Sequence, residues 1–197
     1  MPNARSLELR GARTVKVQLY RELNMSDAMG NPIHETYHTG LRNMHALEMT
    51  AIELTARQVE RLEHYPEMAA RLQKHRVESE EQARRLEAIL VRHGTTSSAA
   101  KNAVTAVMGN VAAALHTPAS DEVLKNTFAN YAFEHQEIAA YISLIAMAER
   151  VGDTASVGPL RQSLAEEEAM AKFIHDQIVP TTARYMDLTA AGETAKV

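Results

Sequence analysis

Apolar residues recur at intervals of three and four along four long segments of the chain, and this spacing is that of one face of an α-helix. The predicted helices cover about residues 35–63, 67–92, 121–151 and 159–180. Short links join the first helix to the second and the third to the fourth, as in two antiparallel hairpins. The pattern therefore predicts an all-α four-helix bundle.

Two further stretches have weaker helical patterns. Residues 94–120 are rich in alanine and join the two hairpins, so we expect short extra helices in this crossover. Pro180 should end the fourth helix because proline has no backbone N–H, and residues 181–189 are then a separate short helix near the C-terminus. The predicted organisation is an N-terminal arm at 1–33, the bundle at 34–189 and a flexible tail at 190–197.

Composition narrows the class of protein. The 197 residues are 45% apolar and 23% charged, as in an ordinary globular domain, and the net charge of -4 favours neither nucleic acid nor an anionic membrane as partner. We find no apolar signal segment at the start and no apolar run of about 18 residues, so we expect a cytoplasmic protein. The chain has no cysteine, so any metal would have oxygen and imidazole ligands.

The third predicted helix has acidic residues on its apolar stripe. Glu134 and Glu137 lie one turn apart on it. Burying two carboxylates costs free energy unless a metal, a basic side chain or a proton compensates them. The stripe is predicted to consist of Phe128, Tyr131, Ala132, Ile138, Ala139, Tyr141, Ile142 and Ile145.

The other three helices repeat this feature, since each places acid on or beside its apolar stripe. Inward acid on all four helices is the arrangement of a carboxylate-bridged di-metal centre in a bundle core. Two divalent cations would offset about four buried carboxylates. The candidate metal ligands are Glu48 on the first helix, His75 and Glu78 on the second, Glu134 and Glu137 on the third, and Glu167 on the fourth.

These ligand types indicate the metal and leave one alternative open. Oxygen ligands with one imidazole suit iron or manganese. The expected reaction is oxidation of ferrous iron by oxygen or peroxide, or peroxide disproportionation at manganese. In the alternative, the inward acids pair with Arg71 or Arg85 or hold protons, and the bundle is a metal-free scaffold, dimerisation module or partner-binding module.

Four runs of sequence resemble the YciE/YciF family of ferritin-like proteins: FANYAFEHQEIAAYISLIAMAE, SLAEEEAM, HALEMTA and KHRVESEEQ. The resemblance covers about residues 38–186. It implies a ferritin-like bundle, usually dimeric, that binds a di-metal centre and is associated with bacterial stress responses. The six candidate ligands are the positions that match.

One departure from the ferritin pattern concerns the histidines. Typical ferritins have Glu-x-x-His on two helices, whereas the second helix here reads His75-x-x-Glu78 and the fourth has Met170 three residues after Glu167. This difference leaves the ferroxidase activity open, although it does not affect the predicted fold.

Overall fold

The computed structural model describes residues 31–97 and 120–195, which form four α-helices and, within those two ranges, no strand. The helices are α1 (Pro32–Val59), α2 (Pro66–Arg92), α3 (Glu122–Val151) and α4 (Thr154–Ala190). The predicted all-α, ferritin-like bundle is confirmed. Most of the predicted arm and of the crossover helices lies outside the described residues. Over the two described ranges, no helix combines the length and apolar character that crossing a membrane requires.

The helix ends follow local backbone chemistry. Pro66 occupies the first turn of α2, where its missing N–H costs nothing. Gly152 ends α3 in the left-handed conformation, with φ of 79°, and its N–H caps the carbonyls of Ala148 and Glu149. Both predicted hairpin links are therefore present.

α4 is longer than predicted, because it begins at Thr154 and continues through Pro180 to Ala190. Pro180 removes one hydrogen bond to the carbonyl of Asp176, but Asp176 is exposed and its carbonyl can be hydrated. Thr181 and Leu188 are buried beyond the proline, and their packing holds the last turns in place. The separate short helix predicted at 181–189 is instead the end of α4.

Side-chain contacts show which helices are neighbours. α1 runs antiparallel to α3, and α2 runs antiparallel to α4, so that each helix contributes one side to a common core. The contacts, taken in order along each pair, are Tyr37–Asp153, Glu48–Tyr141, Gln58–Asn130 and Arg61–Glu122 for α1 and α3, and Arg92–Ser156, Arg85–Ser163 and Gln82–Glu167 for α2 and α4.

Asp153 joins three of these helices at one end of the bundle. Its Oδ2 accepts hydrogen bonds from the Tyr37 hydroxyl at 3.0 Å, from His93 Nε2 at 2.8 Å and from the Ser156 hydroxyl. Burial alone would raise the pKa of Asp153, but these donors together lower it to about 2.

The core contains two apolar clusters with a polar layer between them. One cluster includes Tyr37, Leu41, Leu86, Leu90, Leu144 and Leu160, and the other includes Leu62, Met68, Leu72, Val123, Ile174 and Leu188. The side chains between the clusters are almost completely buried, although all are polar. They are Glu48, His75, Ser79, Gln82, Glu134, Glu137 and Glu167.

The predicted stripe on α3 is only partly correct. Tyr141 and Ile145 are buried, but Phe128 is 52% exposed and Ile142 is 54% exposed. α3 has few charged residues, so apolar side chains occur on both its faces and periodicity alone does not identify the inward one. The inward face is the one that carries Glu134 and Glu137.

Candidate metal centre

Three helices bring four potential ligands together in the polar layer. His75 from α2, Glu134 and Glu137 from α3, and Glu167 from α4 each offer one ligand atom, and these atoms all lie within 4.8 Å of one another. All four side chains are buried. The one-turn spacing of Glu134 and Glu137 on α3 places both carboxylates on one side of this group.

Glu48 adds a fifth group from the remaining helix, α1. It is fully buried, and the Tyr141 hydroxyl donates to its Oε1 at 2.5 Å. Burial raises the pKa of Glu48 to about 8, even though the Tyr141 hydrogen bond and the charge of His75 act in the opposite direction. The carboxyl is therefore held mainly protonated at neutral pH when no cation is near.

His75 has a different neighbour at each ring nitrogen. Nδ1 lies 3.4 Å from Glu78 Oε2, whereas Nε2 lies 3.3 Å from Glu134 Oε2 and 3.7 Å from Glu167 Oε2. Burial on its own lowers the pKa of His75, but these carboxylates raise it well above its usual value. A cation at Nε2 would take the place of the ring proton that faces Glu134 and Glu167.

Several carboxylate oxygens of the layer lack a hydrogen-bond partner among the described residues. Five oxygens accept no hydrogen bond from these residues: Glu48 Oε2, Glu134 Oε2, Glu167 Oε2 and both oxygens of Glu137. Burial first, and then the neighbouring carboxylates, raise the pKa of Glu137 and that of Glu167 well above the usual range. Buried oxygens of this kind cost free energy unless a donor or a cation meets them.

The arginines that could have neutralised the layer bind other acids. Arg71 Nη1 lies 2.8 Å from Glu78 Oε2, and Arg85 donates to both oxygens of Glu166 at 2.7 and 2.9 Å. In the two described ranges, His75 is the basic side chain that lies within ion-pair distance of Glu134 and Glu167. Four carboxyl groups with one imidazole therefore fit a divalent iron or manganese ion.

A family model provides the decisive comparison. The model described as domain of unknown function DUF892 matches residues 32–187, which is most of the chain. The chain belongs to the DUF892 family. His75 and the four glutamates of the layer all lie inside the matched region.

Two solved structures resemble this DUF892 chain. A protein from Xanthomonas campestris pv. campestris has a TM-score of 0.68 and 24% identity, covering 80% of this chain and 99% of its own. YcfI from Rhodopseudomonas palustris has a TM-score of 0.58 and 22% identity, covering 73% and 92%. At these identities the likeness shows the shared bundle fold and nothing further.

Glu78 lies outside the group of four in this DUF892 chain. Its carboxylate faces Arg71 and Lys74, at 2.8 and 3.1 Å, as well as His75 Nδ1. Burial alone would raise the pKa of Glu78, but His75 and the two cations lower it to about 2. In this arrangement Glu78 orients the imidazole that points into the layer.

Sequence reasoning missed two residues that hold ligands in place. Gln82 Nε2 donates to Glu167 Oε1 at 2.5 Å, and Tyr141 donates to Glu48. Each donor occupies one carboxylate oxygen and leaves the other oxygen to face the layer. A signal existed for Gln82, because an amide on the apolar stripe of α2, two turns after His75, needs a buried partner.

Proposed function

We propose that this DUF892 protein is a ferritin-like metalloprotein that binds iron or manganese at His75, Glu134, Glu137 and Glu167. The observation that carries the proposal is the convergence of three buried carboxyl groups from α3 and α4 on one imidazole from α2, with four carboxylate oxygens that accept no hydrogen bond from the described residues. A cation satisfies these atoms together, whereas a single proton satisfies one oxygen at a time.

Glu48 supports the further proposal that the centre holds two metal ions. It enters from α1, the helix that contributes none of the other four groups, and its Oε2 is without a partner in the described part of the chain. Both oxygens of Glu137 are in the same situation, so Glu137 would hold metal together with Glu48. Glu78 completes the six predicted ligands only if it leaves Arg71 and Lys74.

The chemistry that such a centre supplies is electron transfer from ferrous iron to oxygen or peroxide, or peroxide disproportionation at manganese. The protein's own residues prepare the site. Gln82 and Tyr141 fix one oxygen of Glu167 and of Glu48, Glu78 fixes the imidazole, and the two flanking apolar clusters exclude bulk water. The resemblance to the YciE/YciF family supports a role in a bacterial stress response.

Metal counting tests the proposal. The protein is loaded anaerobically with ferrous iron, and separately with manganese, and metal per chain is measured by elemental analysis. We expect close to two ions per chain, and loss of metal from Glu167→Gln and Glu137→Gln. Glu168→Gln is the matched control, because this neighbouring glutamate is exposed. Stoichiometry near one would leave a mononuclear centre, and no metal above background would refute the proposal.

A metal-free scaffold is the competing function, and the raised pKa values of Glu137 and Glu48 favour it, since protonated carboxyls need no metal. The same variants discriminate. Glutamine imitates a protonated glutamate in shape and charge. If the bundle is a metal-free scaffold, Glu137→Gln should therefore keep its fold and assembly, and added metal should change neither the parent protein nor the variant.

A further inference from the structure

Two histidines meet where α1 begins and α2 ends. The ring centroids of His38 and His93 lie 5.0 Å apart, and the ring planes are tilted by 58°. When two imidazoles bind one ion at tetrahedral or square-planar angles, with metal–nitrogen distances of about 2.1 Å, their centroids lie about 4.5–5.2 Å apart. The two rings therefore already have the spacing of two ligands on one ion.

Asp153 determines which nitrogen of His93 is available to a metal. Nε2 of His93 lies 2.8 Å from Asp153 Oδ2. The pKa of Asp153 is lowered to about 2, so its carboxylate is ionised at neutral pH and can only accept a hydrogen bond. The proton of a neutral His93 ring is therefore on Nε2, and Nδ1 carries the lone pair that a metal needs. Histidine ligands of metals typically donate their other N–H to a carboxylate in this way.

Further contacts hold the His93 ring in place. The ring of Tyr37 meets it edge to face, with the centroids 5.5 Å apart and the planes at 87°. Tyr37 is fully buried, and its hydroxyl donates to Asp153 Oδ2 at 3.0 Å. The backbone N–H of His93 donates to the carbonyls of Ile89 and Leu90 at the end of α2. A side chain held in this way loses little conformational entropy when it binds a metal.

We propose that His38 and His93 form a second metal site, which binds zinc or copper(II) through both imidazoles. The site is separate from the polar layer, because His38 lies about 15 Å from Glu48 along the axis of α1. It also differs in chemistry, since imidazole ligands suit zinc and copper, whereas carboxylates suit manganese. Both histidines are half-buried, so water can complete the coordination of the ion. One nitrogen of each ring is enough, and the second nitrogen of His38 stays available for a hydrogen bond.

Two arginines at this end of the bundle bind other groups. Arg42 Nη2 donates to the Thr95 hydroxyl at 3.2 Å. Arg92 Nη2 donates to the Ser156 hydroxyl at 2.6 Å and lies 3.6 Å from Asp153 Oδ1. The ionised Asp153 offsets one of these positive charges, and the other lowers the affinity of the site for a cation. We therefore expect a weaker site than the carboxylate centre, and one that exchanges its ion with the solution.

Copper binding, measured by electron paramagnetic resonance, tests the site directly. The experiment uses the Glu167→Gln variant, in which the polar layer lacks one of its carboxylates, with one equivalent of copper(II) added. The spectrum should show hyperfine structure from two imidazole nitrogens. Adding His38→Gln or His93→Gln should reduce this pattern to that of a single nitrogen or abolish copper binding. His135→Gln, at an exposed histidine on α3, is the matched control and should leave the two-nitrogen pattern unchanged.

Zinc protection is a second measurement, made on the parent protein. Diethyl pyrocarbonate modifies accessible imidazoles, and peptide mass spectrometry locates the modified residues. Zinc should slow the modification of His38 and His93 together, whereas His135 should react as fast as before. A one-nitrogen pattern or no bound copper in Glu167→Gln, an unchanged pattern after His38→Gln or His93→Gln, or zinc that protects neither histidine would each overturn the proposal. Iron and manganese binding by the polar layer should be the same in His38→Gln as in the parent, so the two metal proposals fail independently.

Discussion

Glu48→Gln should stabilise the metal-free protein at neutral pH. The folded chain holds Glu48 protonated up to a pKa of about 8, whereas the unfolded chain ionises it near 4.5. A group with a raised folded pKa contributes stability that is present below 4.5 and is lost as the pH rises to about 8. At pH 7 the loss is about 1.4 kcal/mol for each of about 2.5 pH units, or about 3 kcal/mol. Glutamine has no proton to gain, and its amide oxygen can still accept from Tyr141.

Urea unfolding with a chelator present, followed by circular dichroism, measures this effect. The parent protein should lose stability between about pH 5 and about pH 7, and the Glu48→Gln variant should lose about 3 kcal/mol less over the same interval. Glu53→Gln, which changes an exposed glutamate on the same helix, should follow the parent to within about 0.5 kcal/mol. Equal pH slopes in the parent and in Glu48→Gln would refute the reasoning.

Added metal should reverse the sign of the same substitution. Ions that bind only the folded state stabilise it by mass action, and Glu48→Gln removes one of their oxygen ligands. The variant should therefore be more stable than the parent in chelator and less stable than the parent in excess manganese. A substitution that affected packing alone would shift stability in one direction under both conditions.

Three further expectations follow from the site and its surroundings. Glu78→Ala should weaken manganese binding about 10–100-fold, as measured by calorimetry. Glu78→Gln keeps an acceptor for His75 Nδ1 and should weaken binding less. Equal losses in the two variants would mean that Glu78 acts through its charge or as a ligand. Metal affinity should rise with pH up to about 8, because bound ions displace the proton on Glu48. Calorimetry in two different buffers should detect the released protons. A pH-independent affinity would contradict this. Asp153→Asn should lower the free energy of unfolding by about 2 kcal/mol at neutral pH, and by progressively less as the pH falls from 3.8 through about 2. Thermal unfolding measures this loss, with Asp187→Asn at an exposed site as the control. Equal losses in the two variants would contradict the role of Asp153.

The sequence identified the four helices and most of the polar layer because both depend on local spacing. An acid on an apolar stripe is visible without coordinates, and Glu48, Glu134, Glu137 and Glu167 all lie inside the bundle. Glu78 is different, since its orientation depends on which groups bind its carboxylate more strongly. Arg71 and Lys74 draw it outward, whereas a cation in the core would draw it inward. Spacing cannot decide that competition.

Two failures have a common origin. Phe128 and Ile142 were predicted to be buried because they are apolar, and Pro180 was predicted to end a helix because it lacks a donor. In both cases the outcome depends on surroundings that the local sequence does not contain. An interaction surface can require apolar residues on the outward face of a helix. Packing on both sides of a proline can keep a helix continuous through that residue.

The polar layer divides the apolar core, and this division affects how long the protein survives in a cell. Apart from Ala51 and Phe133, the buried residues of the two apolar clusters lie on opposite sides of the layer. Without a cation, the two ends of the bundle are therefore joined mainly through buried carboxyl groups that lack hydrogen-bond partners among the described residues, and these groups favour opening. Such a chain should unfold locally more often and be degraded faster, because proteases cut transiently opened segments. The lifetime of the protein would then follow the supply of metal, and its abundance would report metal status without any dedicated sensor.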